Sequence, residues 1–385
     1  MKIKTICALI LLTLSASLAL SQQLTRCGGP TTALHINWPT FQFDVCHTGY
    51  NPYESTLKTS NVRNLVVAWQ YSGQDNVTSP AIVNGVLYFA DNPGGIYAVN
   101  ANTGALLWKY TAGWIISDAA APAVANGIVY VGAEDNHVYA LNASTGAMQW
   151  KFATGSIIDT AATVDNGIVY IGSEDQNLYA LDAKTGTLLW KYTMSRGSGT
   201  ASAVVNGIVY VVSQDASVYA LNARTGVLLW KYVTGGNGVF TTPIVFQGVA
   251  YVASDAGLYA FNALSGAVIW KNATVRSIFS SPALANGTLY VGWDDSGIPA
   301  LSALNATTGG MTWETKMNAT AGPPIVANGV VYVESDRVSA LRADTGEVLW
   351  TYYPGGGGGS PAVVNGVLYA PCNGASICFL HLPGQ

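Results

Sequence analysis

Apolar runs of strand length alternate along the chain with tight polar turns, and the alternation repeats. Asn84-Gly85, Asn126-Gly127, Asn166-Gly167, Asn206-Gly207, Gln247-Gly248, Asn286-Gly287, Asn328-Gly329 and Asn365-Gly366 recur at about forty-residue intervals. Three residues after each glycine stands a tyrosine: Tyr88, Tyr130, Tyr170, Tyr210, Tyr251, Tyr290, Tyr332 and Tyr369. Asn-Gly favours the positive φ angles of a type I′ turn, whose twist matches that of paired strands. The pattern predicts eight hairpins.

A second signature follows each hairpin. Ala140-Leu141-Asn142-Ala143-Ser144-Thr145-Gly146 leads to Trp150, and Ala180 to Gly186 leads to Trp190 in the same spacing. The pattern closes on Trp108, Trp230, Trp270, Trp313 and Trp350 as well. Asn or Asp followed by Thr/Ser-Gly makes a tight turn in which glycine takes the left-handed conformation. Each unit reads as strand A, Asn-Gly turn, strand B, variable turn, strand C, Thr-Gly turn, strand D with its tryptophan.

The eighth unit has its hairpin but no tryptophan strand, while a stray strand with Trp69 sits at residues 64–71. A closed ring accounts for both, because the early strand can complete the last sheet, whereas an open solenoid would need capping repeats. The expected fold is all-β: a single eight-bladed β-propeller of four-stranded antiparallel blades, closed by the N-terminal strand. It spans residues 62–380, after an arm at 22–61 and before a tail at 381–385. Lys109, Lys151, Lys191, Lys231 and Lys271 follow blade tryptophans and are expected to point to water from an edge strand.

Composition adds the compartment. Lys2 and Lys4 precede an apolar stretch over residues 6–20, then Ala19-Leu20-Ser21, so residues 1–21 read as a signal peptide and Gln22 as the mature start. No segment of the mature chain is apolar for long enough to span a bilayer. The protein is expected to be exported, to the periplasm or the extracellular space. A net charge of −4 with scattered Lys and Arg gives no basic stripe, which argues against nucleic acid.

The mature chain keeps Cys27, Cys46, Cys372 and Cys378, an even number in an oxidising compartment, suggesting two disulfides with three pairings open. Cys372 and Cys378 flank a turn-like stretch, and a bond across it leaves Cys27 with Cys46 to staple the arm. His35, His47, His137 and His381 show no metal-ligand spacing, there is no C-x-x-C, and no metal site is expected.

The A-L-[ND]-A-x-T-G-x-x-x-W signature, with the S-P-A-V-x-N-G-x-x-Y strand before it, resembles the PQQ-like (pyrroloquinoline quinone) propeller repeat over about residues 38–380. Trp38 to Phe41 and His47 to Pro52 are similar to the lead-in such proteins carry before their first strand. The resemblance implies two kinds of role. Quinoprotein alcohol dehydrogenases hold PQQ at the ring centre over Ca²⁺, with carboxylate and amide ligands and an Asp as base. The outer-membrane assembly lipoprotein BamB is non-catalytic. The chain departs from the enzymes in lacking a Cys-Cys pair, a C-x-x-C-H haem motif and long insertions. Its innermost strands start on small neutral residues such as Ser79-Pro80, Ala121-Pro122 and Ser360-Pro361. It departs from BamB at Leu24-Thr25-Arg26, which does not resemble a lipidation box before Cys27.

Residues repeated around the ring serve the scaffold. Asp135, Asp175, Asp215, Asp255 and Asp295 share one turn position and read as turn formers, and Glu134 and His137 as solvated turn residues. Because strands alternate in direction, the Asn-Gly and Thr-Gly turns share one face, and the B–C turns and D-to-A connections share the other. The second face varies, so recognition is expected there. It carries Trp114, Asp118, Asp159, Arg196, Phe240, Arg276 and an enlarged turn at Trp293, Asp294 and Asp295. Residues 355–359 are a glycine run without the Lys-Ser/Thr of a phosphate loop. The expected function is a monomeric, non-catalytic propeller that binds a protein or small ligand through this face, without a cofactor. The alternative is a PQQ-dependent oxidoreductase with Ca²⁺.

Overall fold

The computed structural model describes residues 37–384, apart from 115, 118, 119, 237, 239, 240, 279 and 354–358. The signal-peptide reading at 1–21 and Cys27 lie outside the described residues. The chain forms eight antiparallel four-stranded sheets, one of which gains a fifth strand from the arm, joined in sequence order as the blades of a propeller.

Blade 2 shows why these residues make a blade. From the axis outward it comprises Ala123–Ala125, Ile128–Ala133, His137–Asn142 and Met148–Ala153. Asn126 and Gly127 take φ of 50° and 77°, the signature of the tight turn that the Asn-Gly pair predicts. Register places Ala123 opposite Tyr130, Tyr130 opposite Ala140 and Ala140 opposite Trp150. Small and large side chains thus alternate along one row across the sheet, and a stacked sheet with the same row can interdigitate. Each outer strand has a bulge just before the tryptophan, as between Met148 and Trp150.

Adjacent blades are joined by polar contacts as well as packing. Tyr130 and Trp150 both donate to the carbonyl of Ala183 in the next blade. The same pair of bonds recurs from Tyr88 and Trp108 to Ala143, from Tyr170 and Trp190 to Ala223, and from Tyr210 and Trp230 to Ala263. Apart from Trp350, each blade indole also lies on the Thr/Ser-Gly turn of the following blade. A Cβ at Gly146, whose φ is +71°, would come within 2.7 Å of the Trp108 ring, so this turn requires glycine both for conformation and for contact.

The ring closes as the sequence predicts. Strand Val66–Ser72 pairs antiparallel with Ser376–His381, with Val66 opposite His381 and Ser72 opposite Ser376. Blade 8 has Phe379 where other blades have alanine in the cross-strand row, and Trp69 stacks on it at 5.1 Å. Its outer strands come from opposite ends of the chain, so it has no Thr-Gly turn to receive Trp350. The short 3-10 turn Val62–Asn64 packs against strand Val348–Tyr352 instead, and Trp350 is half-buried. Cys372 and Cys378 are disulfide-bonded across the last hairpin, and Cys46 is also in a disulfide.

The lysines that follow the blade tryptophans are exposed on the outer strands, as expected, and the ammonium groups of Lys109, Lys231 and Lys271 also sit 4.7–4.8 Å over the rings of Tyr97, Tyr219 and Tyr259. The lysine stem follows the sheet surface, and the ring on the neighbouring strand attracts its charge. Trp293 is not a rim residue. It is only 9% exposed, because the enlarged turn begins beyond it: the flanking strands run as Thr288–Asp294 and Pro299–Asn305, and the indole N–H donates to Ser302 Oγ.

Candidate functional site

The bore of the ring holds a segment of the protein's own chain. Innermost strands have one unpaired edge facing the axis, and such an edge leaves N–H and C=O groups that need partners. Residues 38–51 supply them in order around the ring. Trp38 exchanges backbone bonds with Ile82, and the carbonyls of Pro39, Val45, Cys46, Thr48 and Gly49 accept from Val124, Val204, Val245, Leu284 and Val326. Tyr50–Asn51 continues as a parallel strand beside Ile325–Ala327. Side chains reach the two remaining blades, Thr40 Oγ1 to the carbonyl of Ala162 and Asn51 Nδ2 to that of Val363. All eight blades are tied to one segment. Sequence reasoning assigned this lead-in no position, since nothing in its local pattern says that its hydrogen-bond partners are scattered over nearly the whole chain.

The arm's fold is set by Asp44. Its carboxylate accepts from the backbone N–H groups of Cys46 and Thr48 and from the Thr48 hydroxyl, which bends the chain within the bore. Burial nevertheless pushes its pKa up to about 7, the hydrogen bonds pulling back only in part. His47 faces the carbonyls of Phe41 and Ser202 with its two ring nitrogens, and burial pushes it down to about 4. Gln42 donates to the carbonyls of Ser281 and Pro282, and Phe41 packs on Ala121, Ala161 and Ala201. Both titratable groups here are structural.

On the variable face three of the repeated aspartates, Asp135, Asp175 and Asp215, hold the loops, in agreement with the turn role read from their spacing. Asp175 accepts from the N–H groups of Asn177 and, across the blade boundary, Gly155, and from the Tyr179 hydroxyl. Asp135 and Asp215 bond the corresponding tyrosines, Tyr139 and Tyr219. Blade 1 uses Asp91 in this way, bonding Gln74 N, Gly95 N and Tyr97 Oη, although its position was not singled out in the sequence. Tyr259 departs from the scheme and donates to the carbonyl of Thr234.

The residues that break the repeat fall into three groups. Trp114 is 62% exposed, and Arg196 and Arg276 are exposed with it on this face. Asp294 caps the enlarged turn, accepting from Gly297 N and Thr320 Oγ1, so it is a turn former like the repeated aspartates. Asp159 is half-buried, with Oδ1 buried and unpartnered. Burial first, then the carboxylates of Glu174 and Glu134, push its pKa up to about 6. Asp118 and Phe240 lie outside the described residues. Sequence reasoning did not find Tyr353, Val233 and Ile298, which are also exposed apolar side chains at the ends of strands or in turns on this face.

The calcium ion that the quinoprotein resemblance implies does not fit these residues. A calcium site takes six to eight oxygens, several of them anionic. Around the axis, where the innermost strands start, the side-chain oxygens are neutral hydroxyls, of which Ser79 Oγ accepts from the N–H of Ser360 and Ser281 Oγ from that of Thr242, while Ser202 Oγ is buried without a partner. Among the described residues no group of three His, Cys, Asp or Glu side chains could hold a metal ion.

The geometry defines a closed, eight-bladed propeller with a plugged bore. The chain belongs to the family described as outer membrane protein assembly factor BamB, whose model matches residues 66–161, 152–271 and 254–383. Curated relatives include a quinohemoprotein alcohol dehydrogenase of Comamonas testosteroni, 30% identical over 77 residues, 19% of this chain and 11% of that protein. Lupanine 17-hydroxylase [cytochrome c] of a Pseudomonas species is 42% identical over 65 residues, 15% of this chain and 9% of that protein. These matches span only about a tenth of the length of those relatives. Among solved structures, a quinohemoprotein alcohol dehydrogenase from Pseudomonas putida superposes with a TM-score of 0.79 at 18% identity, covering 91% of this chain and 81% of the other. BamB from Moraxella catarrhalis gives 0.71 at 20% identity, covering 83% and 98%. At these identities the structures share the fold with this chain, a fold common to a BamB and to quinoprotein dehydrogenases.

Proposed function

We propose that the protein is an exported, non-catalytic binding propeller that recognises a protein partner through its variable-loop face, acting as a monomer in the periplasm or outside the cell. The observation that carries this reading is the arm: its bonds to all eight innermost strands turn the ring into a solid disc, leaving the rim loops as the surface that differs from blade to blade. Exposed Trp114 together with Arg196 and Arg276 supplies the aromatic and guanidinium chemistry that dominates binding hot spots. The Cys372–Cys378 disulfide supports an oxidising compartment. No helix among the described residues is long and apolar enough to cross a membrane. The family and the shared fold leave an oxidoreductase as the rival.

One experiment separates the two. Purified protein is mixed with PQQ and Ca²⁺, desalted, and examined for quinone absorbance and for dye reduction with alcohols and sugars. The binding reading expects neither signal. Stoichiometric retention of the quinone overturns it.

A further inference from the structure

A cavity of about 620 Å³ opens on the Asn-Gly face between blades 5 and 6, away from the variable loops. Clefts also occur at the corresponding places between blades 3 and 4 and between blades 6 and 7, and three departures from the repeat that meet at one place give this one its aromatic lining. At most junctions the strand-B tyrosine crosses to the next blade's alanine carbonyl, as Tyr210 does to Ala263 and Tyr290 to Ala343. Here Trp270 keeps its bond to the Ala306 carbonyl, but Tyr251 does not share that acceptor. Tyr251 is only 6% exposed and lines the cavity, so its hydroxyl is available to a molecule bound there. Strand Ile244–Phe246 ends on a phenylalanine where the equivalent strands end on Val, Ala or Asp, and Gln247 replaces the usual turn asparagine. The arm supplies the third departure, adding Tyr50 and Tyr53 to the lining as it leaves the bore.

The lining has no Asp, Glu, Lys, Arg or His. It presents five aromatic rings, those of Tyr50, Tyr53, Phe246, Tyr251 and Trp270, together with the amides of Gln247 and Asn286. A charged ligand would lose its hydration without a counter-charge, which is costly. A flat apolar body gains contact with the rings, and one polar atom on it would satisfy the Tyr251 hydroxyl. The volume is in the range that encloses a small organic molecule. We infer that this cleft binds an uncharged, planar aromatic molecule carrying a hydrogen-bond acceptor, held by ring contacts and by donation from Tyr251. The site is independent of the variable face and of the reading proposed for it.

The test uses the full mature chain and Prodan, an uncharged naphthalene ketone whose emission shifts to the blue on leaving water. Saturable binding of one Prodan per chain is expected. Tyr251→Phe removes the donor while keeping the ring, and should weaken binding about fivefold, the effect of losing one neutral hydrogen bond. Ile269→Trp, at a half-exposed position on the cavity lining, should abolish binding without lowering the midpoint of thermal unfolding. Leu229→Trp, at the corresponding place one blade earlier, should leave it unchanged. Failure of Prodan to saturate overturns the inference, and so does binding that neither Tyr251→Phe nor Ile269→Trp alters. Displacement of Prodan by a neutral disaccharide would show that the ligand class is wrong.

Discussion

Tyr130 and Trp150 of one blade donate to a single acceptor, the carbonyl of Ala183 in the next, at 2.9 and 3.0 Å. A carbonyl has two lone pairs, so one buried oxygen satisfies two buried donors and ties the inner and outer halves of a blade to its neighbour. The consequence for stability is unequal. Tyr130→Phe leaves the carbonyl bonded to Trp150 and should cost about 1 kcal/mol. Trp150→Ala removes the ring that covers the Thr-Gly turn and should cost about 3–5 kcal/mol. Urea unfolding of the two variants checks the order, and equal losses would mean that the indole contributes no more than its hydrogen bond.

Closure depends on the early strand. Deleting residues 64–71 exposes the edge of Ser376–His381 and removes the Trp69–Phe379 stack, so thermal unfolding should begin at a markedly lower temperature. Calorimetry of the truncated chain tests this, with an unaltered transition as the contrary result.

The arm makes stability depend on pH in two opposed ways. His47, lowered to about 4 in the fold against 6.5 unfolded, is neutral when folded and charged when unfolded between those values, so its contribution grows as pH rises from 4 to 6.5. Asp44, raised to about 7 against 3.8, binds a proton in the fold that the unfolded chain has lost, so its contribution falls as pH rises from 4 to 7. In the native protein the two slopes largely cancel below pH 6.5. In Asp44→Asn only the histidine slope remains, and stability should climb by about 2–3 kcal/mol between pH 4 and pH 6.5. Denaturant titrations of both proteins at several pH values measure the difference, and parallel curves would contradict it.

The Cys372–Cys378 bond closes a loop with a sequence separation of only 6. A short loop restrains the unfolded chain modestly, and Cys372→Ala with Cys378→Ala should cost about 2 kcal/mol and leave the ring closed. The residual far-ultraviolet spectrum and the urea midpoint test both halves of that statement.

Trp114 is the most exposed tryptophan of the variable face. Trp114→Ala should leave the unfolding midpoint within about 0.5 kcal/mol of the native value. A larger loss would move Trp114 from recognition to structure.

Much of this molecule is local and therefore legible in its residues alone. Asn126-Gly127 and Thr145-Gly146 carry their own conformational preference, and the recurrence of Tyr130, Ala140 and Trp150 at fixed spacing determines strand count, register and the ring. The unmatched strand bearing Trp69 determines how the ring closes. What the residues could not reveal lies in contacts between distant segments. The arm matches no repeat, and its partners, from Ile82 to Val363, become neighbours only when eight blades surround the axis. Trp293 reads as a loop residue until two longer strands enclose it, and Tyr251 reads as one tyrosine among eight until the arm brings Tyr50 and Tyr53 beside it in one cleft. Turn and strand preferences act over a few residues, whereas burial and hydrogen-bond satisfaction depend on which surfaces the closed ring brings together.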